Sequence, residues 1–150
     1  MRVVIQRASR ASVTINEKET RSIGKGLVVL LGIEEADGDD DIDWLVNKII
    51  NLRLFDDGDG VMNLSLKDID GEIMVVSQFT LHARTKKGNR PSYIDAAKPE
   101  FSIPMYDKFN QRLSEKIGKA VITGEFGAMM AVDLVNDGPI TIVMDTKNKQ

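Results

Sequence analysis

Leu27 to Ile33, "LVVLLGI", most narrows the folds open to this chain. The run has strand length, no polar side chain interrupts it, and glycines stand at 24, 26 and 32. A strand apolar on both faces must be covered on both faces, as an inner strand of a layered sheet is. The next segment supplies one cover: from Asp39 the period changes, and Ile42, Leu45, Val46, Ile49 and Ile50 fall on one helical face. Around the start of that helix "EEADGDDDID" places seven acids in ten residues, where they complement the positive end of the helix dipole.

Val3 and Ile5, then Val13 and Ile15, predict two short strands joined near Ser9 and Arg10. "DDGDG" (56–60) and "KDIDGE" (67–72) are turns, the second between two strands. Met105, Phe109, Leu113 and Ile117 repeat every four residues up to Gly118, a helix with a glycine stop. Strands follow over 120–123, 129–135 and 140–145, with "NDGP" (136–139) as a hairpin turn between the last two. The expected fold class is α+β: a β-rich, mostly antiparallel, barrel-like sheet with two principal helices, in one domain over 1–150.

Composition excludes several functions. With 42% hydrophobic and 29% charged residues the chain is of the globular kind. No apolar run approaches the ~20 residues of a membrane span. The opening "MRVVIQRASRASV" is too rich in arginine for a secretory signal, so a cytoplasmic location is expected. No cysteine is present, which removes disulfides, thiolate nucleophiles and Cys-ligated zinc. The acids do not match a calcium loop, because Ile42 stands where the sharp-turn glycine belongs and Asp57 and Asp59 lack a third ligand. Neither a metal nor a cofactor is expected. The net charge is −3, yet "RTKKGNR" (84–90) carries four bases and no acid, a local patch able to meet phosphate or simply to lie in solvent.

Chemistry concentrates where the apolar run Ile73–Val76 passes into Ser77, Gln78, Phe79 and Thr80. A strand that ends there frees backbone N–H groups for an oxyanion, while Gln78 and Thr80 add neutral donors and Phe79 offers a ring for stacking. The alternative is a strand edge bonded to water with Phe79 in the core. His82 is the single histidine; at a strand end it is expected at the surface, and nothing marks an acid that would orient it as a base for Thr80.

"VVSQFTL" (75–81), "KKGNRPSY" (86–93) and "LVNDGPITI" (134–142) closely resemble the bacterial-type D-aminoacyl-tRNA deacylases. "VIQRASRASV" (4–13), "GLVVLLGIE" (26–34) and "TGEFGAMMAV" (123–132) are similar to the same family in the same order, so the resemblance spans nearly the whole chain. It implies a barrel-like α+β fold, a homodimer with sites at the interface, and hydrolysis of the ester joining a D-amino acid to the 3′-terminal adenosine of tRNA. Achiral glycyl-tRNA is a further substrate it leaves open.

The same resemblance assigns roles. Ser77, Gln78, Phe79 and Thr80 would line the catalytic pocket, with N–H groups near Phe79 stabilising the oxyanion. Gln78, Phe126 and Met130 would hold the terminal adenosine. Gly138 and Pro139, joined by a cis bond and steadied by Arg7, would enter the partner subunit's site and leave no room for an L side chain. Lys86, Lys87 and Arg90 would meet phosphates of the acceptor end. Two mechanisms stay open: Thr80 as nucleophile, or attack by water assisted by the ribose 2′-hydroxyl. The second is preferred because no base stands ready to activate Thr80. An RNA-binding module without catalysis is the competing reading. Ala8 and Tyr93 depart from the commoner valine and phenylalanine.

Overall fold

The computed structural model describes all residues from 1 to 150. β1 (Arg2–Ile15) turns at Asn16 and Glu17, both at positive φ, into β2 (Glu19–Ile23). The return leg resumes as β3 (Gly26–Gly32), so β1 pairs antiparallel with β3 through its first half and with β2 through its second. The two short strands expected at the start are therefore one. The break near Ser9 and Arg10 survives as register shifts between Gln6, Ala8 and Arg10, where the ladder bulges without ending.

Helix α1 (Asp39–Asn51) follows, with Ile42, Leu45, Val46, Ile49 and Ile50 buried as the periodicity requires. The acidic run does more than face the dipole. Asp41 accepts the Gly38 N–H at 2.8 Å and starts the helix. Asp39 and Asp43 pair with Arg112, and Asp39 also with Lys108, which clasps α1 to the second helix. The short strands β4 (Phe55–Asp56) and β5 (Met62–Leu64) form a small separate hairpin. Asp57 in its turn accepts the N–H groups of Asp59 and Val61 at 2.9 and 3.0 Å.

β6 (Glu72–Ser77) lies parallel to β3, and β7 (Ile122–Thr123) parallel to β6. The sheet is accordingly mixed: the pairs of β1 are antiparallel, and the two parallel ones rest on crossovers that contain helices. The second crossover carries α2 (Pro99–Ile117), which starts on Pro99 and stops at Gly118 with φ 72°. The curved sheet nearly closes on itself and carries the two helices.

β8 (Met130–Asp145) overturns the predicted hairpin. Both of its halves pair antiparallel with β1 in one direction, from Ile15↔Met130 to Arg2↔Asp145. Asn136 faces Ala8 and Thr141 faces Gln6, so Asp137 to Ile140 are extruded opposite Arg7 as a bulge. The turn residues are real, but both flanks find partners on the same long strand, and the chain loops out instead of reversing.

The core has two parts. Leu27, Val29, Leu31, Ile73 and Val75 face α1 and α2, where Phe109 and Leu113 are fully buried. Val28, Met74 and Val76 point the opposite way and meet Ala8, Ala11, Val13, Ile15 and Ile23. Both faces of β3 and β6 are thus covered, and this stiff pair carries the residues of interest at its end.

Candidate active site

Ser77 pairs with Leu31 on the last rung shared by β6 and β3, and the Gln78 N–H still reaches the Leu31 carbonyl at 2.7 Å. There the strand stops, and residues 79–82 wind into a 3-10 turn. Its first internal bond is Leu81 N–H to the Gln78 carbonyl at 3.2 Å, which leaves the N–H groups of Phe79 and Thr80 unused by the turn. Within the turn Thr80 Oγ1 receives a hydrogen bond from Gln78 Nε2 at 2.6 Å. His82 is not at the surface but only 2% exposed, with Nε2 unpartnered, because the 3-10 turn folds it inward.

Ser77, Gln78 and Phe79 line one side of a cavity of about 390 Å³. Phe126 and Met130 line it too, with Ala97 just before α2 and Ser102 in the first turn of that helix. Sequence residues distant from each other thus converge on one pocket, because β7 docks beside β6. Phe79 is 53% exposed at the mouth, its ring 5.1 Å from that of Tyr93 at 80°. Phe126 meets the Tyr106 ring edge-on, and Tyr106 Oη donates to the Val75 carbonyl at 2.8 Å. Burial pushes the Tyr106 phenol up to about 12, so it remains a donor at neutral pH. Ser102 escaped the sequence reading. Its signal was a serine in the buried helical stripe with Tyr106, Phe109 and Leu113.

The basic loop leaves beside this pocket. Lys86, Lys87 and Arg90 are exposed, and its base is closed by backbone bonds between Arg84 and Ser92 at 2.8 and 3.1 Å. Arg84 also grips Asp95, and that guanidinium holds the Asp95 carboxyl below its usual range. Tyr93, which touches Phe79, lies at the loop's exit.

Gly138 and Pro139 lie elsewhere on the chain. Their peptide bond is cis, both residues are exposed, and neither lines the pocket. Arg7 is buried beneath them. It donates to the carbonyls of Leu54 at 2.8 Å and Asp137 at 3.1 Å, and pairs with the Asp56 and Asp137 carboxylates. Gly138 has φ 124°, and a Cβ there would stand 3.3 Å from Arg7 Nη2. Arg7 pairs with Leu27 and Ser77 with Leu31. The two halves of the implied site are thus separated along β3 by about 13 Å.

Residues 4–145 match the family model described as D-Tyr-tRNA(Tyr) deacylase. The chain belongs to the D-Tyr-tRNA(Tyr) deacylase family. Its enzyme class follows: a hydrolase acting on the ester bond of D-aminoacyl-tRNA. D-aminoacyl-tRNA deacylases of Bacteroides thetaiotaomicron and Flavobacterium johnsoniae are 63% and 62% identical over 150 residues, with both chains covered completely. A solved structure titled c-Myc DNA Unwinding Element Binding Protein superposes with TM-score 0.91 at 40% identity, covering 97% of this chain and 99% of that one. A probable eukaryotic D-amino acid tRNA deacylase shares the fold, with TM-score 0.82 at 18% identity over 95% and 97% of the two chains. No helix is long and apolar enough to cross a membrane.

Proposed function

We propose that this deacylase acts as a homodimer in which each active site joins the pocket of one copy to Gly138 and Pro139 of the other. The terminal adenosine enters the cavity between Gln78 and the Phe126–Met130 wall, and the ester carbonyl stops at the mouth beside Phe79. The observation that carries this reading is the 3-10 turn, which offers the N–H groups of Phe79 and Thr80 at the rim of an apolar pocket. Preorganised donors at such a place stabilise the oxyanion of a tetrahedral intermediate and need no reorganisation as charge develops.

Sharing the site between copies is supported by the separation described above, since neither Gly138 nor Pro139 lines the pocket of its own chain. It is supported too by Met129, Val132 and Val135, which are 80%, 39% and 40% exposed on and beside β8. Exposed apolar side chains suit a contact between copies, and Met129 and Val132 also line the cavity, so a second copy seated there would meet the pocket. In the dimer the exposed carbonyls of the bulge approach the substrate amino group, and rigid backbone fills the space an L side chain needs. Glycine carries no side chain, so glycyl-tRNA passes the same filter. Lys86, Lys87 and Arg90 meet acceptor-stem phosphates beside the mouth. A cytoplasmic location suits an enzyme whose substrate is aminoacylated tRNA.

Water is the attacking group, assisted by the ribose 2′-hydroxyl. Thr80 Oγ1 is bonded to the Gln78 amide, a donor that cannot act as a base. Thr80→Ala is therefore expected to keep kcat within about tenfold of the unsubstituted enzyme, far less than loss of a nucleophile costs. An inactive but folded Thr80→Ala dimer, or a trapped acyl-enzyme, would show the threonine to be the nucleophile.

The reading as a whole is tested by hydrolysis of D-tyrosyl-tRNA and L-tyrosyl-tRNA by the purified protein. Release of the D-amino acid with the L-ester spared is expected. Cleavage of both esters removes the chiral filter from the account. Binding of tRNA with no cleavage leaves only a nucleic-acid-binding module.

A further inference from the structure

The cavity wall that carries Phe126 has slender backbone support. β7 contributes only the rungs Met74↔Ile122 and Val75↔Thr123, and the Gly124 N–H reaches the Val75 carbonyl at 3.4 Å. The next bond, Ala128 N–H to the Glu125 carbonyl at 3.2 Å, closes within the segment itself. A side chain from another strand supplies the missing anchor. Arg21 on β2 donates from Nη1 to the Thr123 carbonyl at 2.8 Å and the Gly124 carbonyl at 3.3 Å.

Glu19 holds this guanidinium from the other side, with Nε to Oε1 at 2.9 Å and Nη2 to Oε2 at 3.2 Å. A two-point pair fixes the plane of the guanidinium, so its Nη1 group is aimed at the carbonyls before Phe126. The hydrogen bond to Glu19 raises the Arg21 pKa, and the charge is present at every working pH. Arg21 does not line the cavity.

We propose that Arg21 is a positioning residue for the nucleoside subsite: it sets the Phe126–Met130 wall without touching substrate. This rests on the reading that the wall holds the terminal adenosine. Because the wall binds that nucleoside alike in ground and transition states, misplacing it raises KM and spares kcat.

The test is steady-state kinetics on D-tyrosyl-tRNA for Arg21→Ala, Arg21→Lys, Phe126→Ala and the Arg21→Ala/Phe126→Ala double variant. Arg21→Ala is expected to raise KM about tenfold with kcat within about twofold. Arg21→Lys should recover part of the loss, since an ammonium reaches a carbonyl without the planar fork. On the Phe126→Ala background, Arg21→Ala should add almost nothing, because the group it positions is gone. If Phe126→Ala itself leaves KM unchanged, the nucleoside assignment of the wall is wrong. If Phe126→Ala raises KM and Arg21→Ala does not, or if the two effects simply add, the positioning role of Arg21 is wrong. Should Arg21→Ala fail to fold, Arg21→Lys against Phe126→Ala decides the same question.

Discussion

Arg7→Ala is expected to lower D-aminoacyl-tRNA hydrolysis by about a hundredfold and to collapse the discrimination between D and L esters. The arginine is 6% exposed and holds the bulge from below through the Asp137 carbonyl and carboxylate. Its removal strands the buried Leu54 carbonyl and leaves Asp56 and Asp137 without their cation. The two carboxylates are half exposed and solvent takes them up, but the unpaired Leu54 carbonyl costs about 1–3 kcal/mol, so the variant also melts earlier. Arg7→Lys separates the two effects. An ammonium keeps the charge and recovers stability, but it cannot reproduce the fork that spans Leu54, Asp56 and Asp137. Chiral discrimination is therefore expected to stay impaired in the lysine variant. An Arg7→Ala protein with an unchanged D to L rate ratio would remove the bulge from the active site.

The second large effect is on the scaffold. Gly26↔Glu72 is the first rung between β3 and β6. A Cβ on Gly26 would overlap the Glu72 carbonyl oxygen and lie 2.7 Å from its carbon and 2.9 Å from the Glu72 nitrogen. These are backbone atoms, which cannot swing aside as the tip of a side chain can. Gly26→Ala is expected to cost about 3 kcal/mol or more in urea unfolding. Because β6 delivers Ser77 and the 3-10 turn, the molecules that stay folded should also hydrolyse more slowly. A variant within about 0.5 kcal/mol of the parent, the range of an ordinary surface substitution, would show that the two strands part here at little cost.

The elements legible in the sequence were those with an unbroken period: the apolar run of β3, the apolar stripe of α1, and the four-residue repeat of α2 with its glycine stop. The errors arise where local signals meet a long-range partner. Ser9 and Arg10 look like a turn, yet β8 and the β2–β3 leg bridge them into one strand. "NDGP" has hairpin chemistry, yet β1 pairs with both of its flanks. The parallel pairing of β3 with β6 left no local trace, since it depends on a crossover through α1.

The candidate site divides in the same way. The change from apolar to polar at Ser77 was visible locally, and it marks the true end of β6. The convergence of Phe126 and Met130 on that end came only from family resemblance, because nothing local says that β7 docks on β6. Arg21 and Tyr106 were silent for another reason. Each acts through a backbone carbonyl, and an acceptor present in every residue leaves no mark in a sequence.

The most direct test of the shared site is subunit mixing. Arg7→Ala impairs the bulge a chain lends, and Gln78→Ala/Phe126→Ala impairs the pocket it keeps. Unfolded together, refolded and assayed with D-tyrosyl-tRNA well below KM, the two impaired proteins should regain about a quarter of the parent kcat/KM, since half of a random dimer population is mixed and each mixed dimer has one intact site. A mixture as inactive as either parent variant, with mixed dimers shown to have formed, would place the pocket and the Gly138–Pro139 bulge in a single chain and contradict the account.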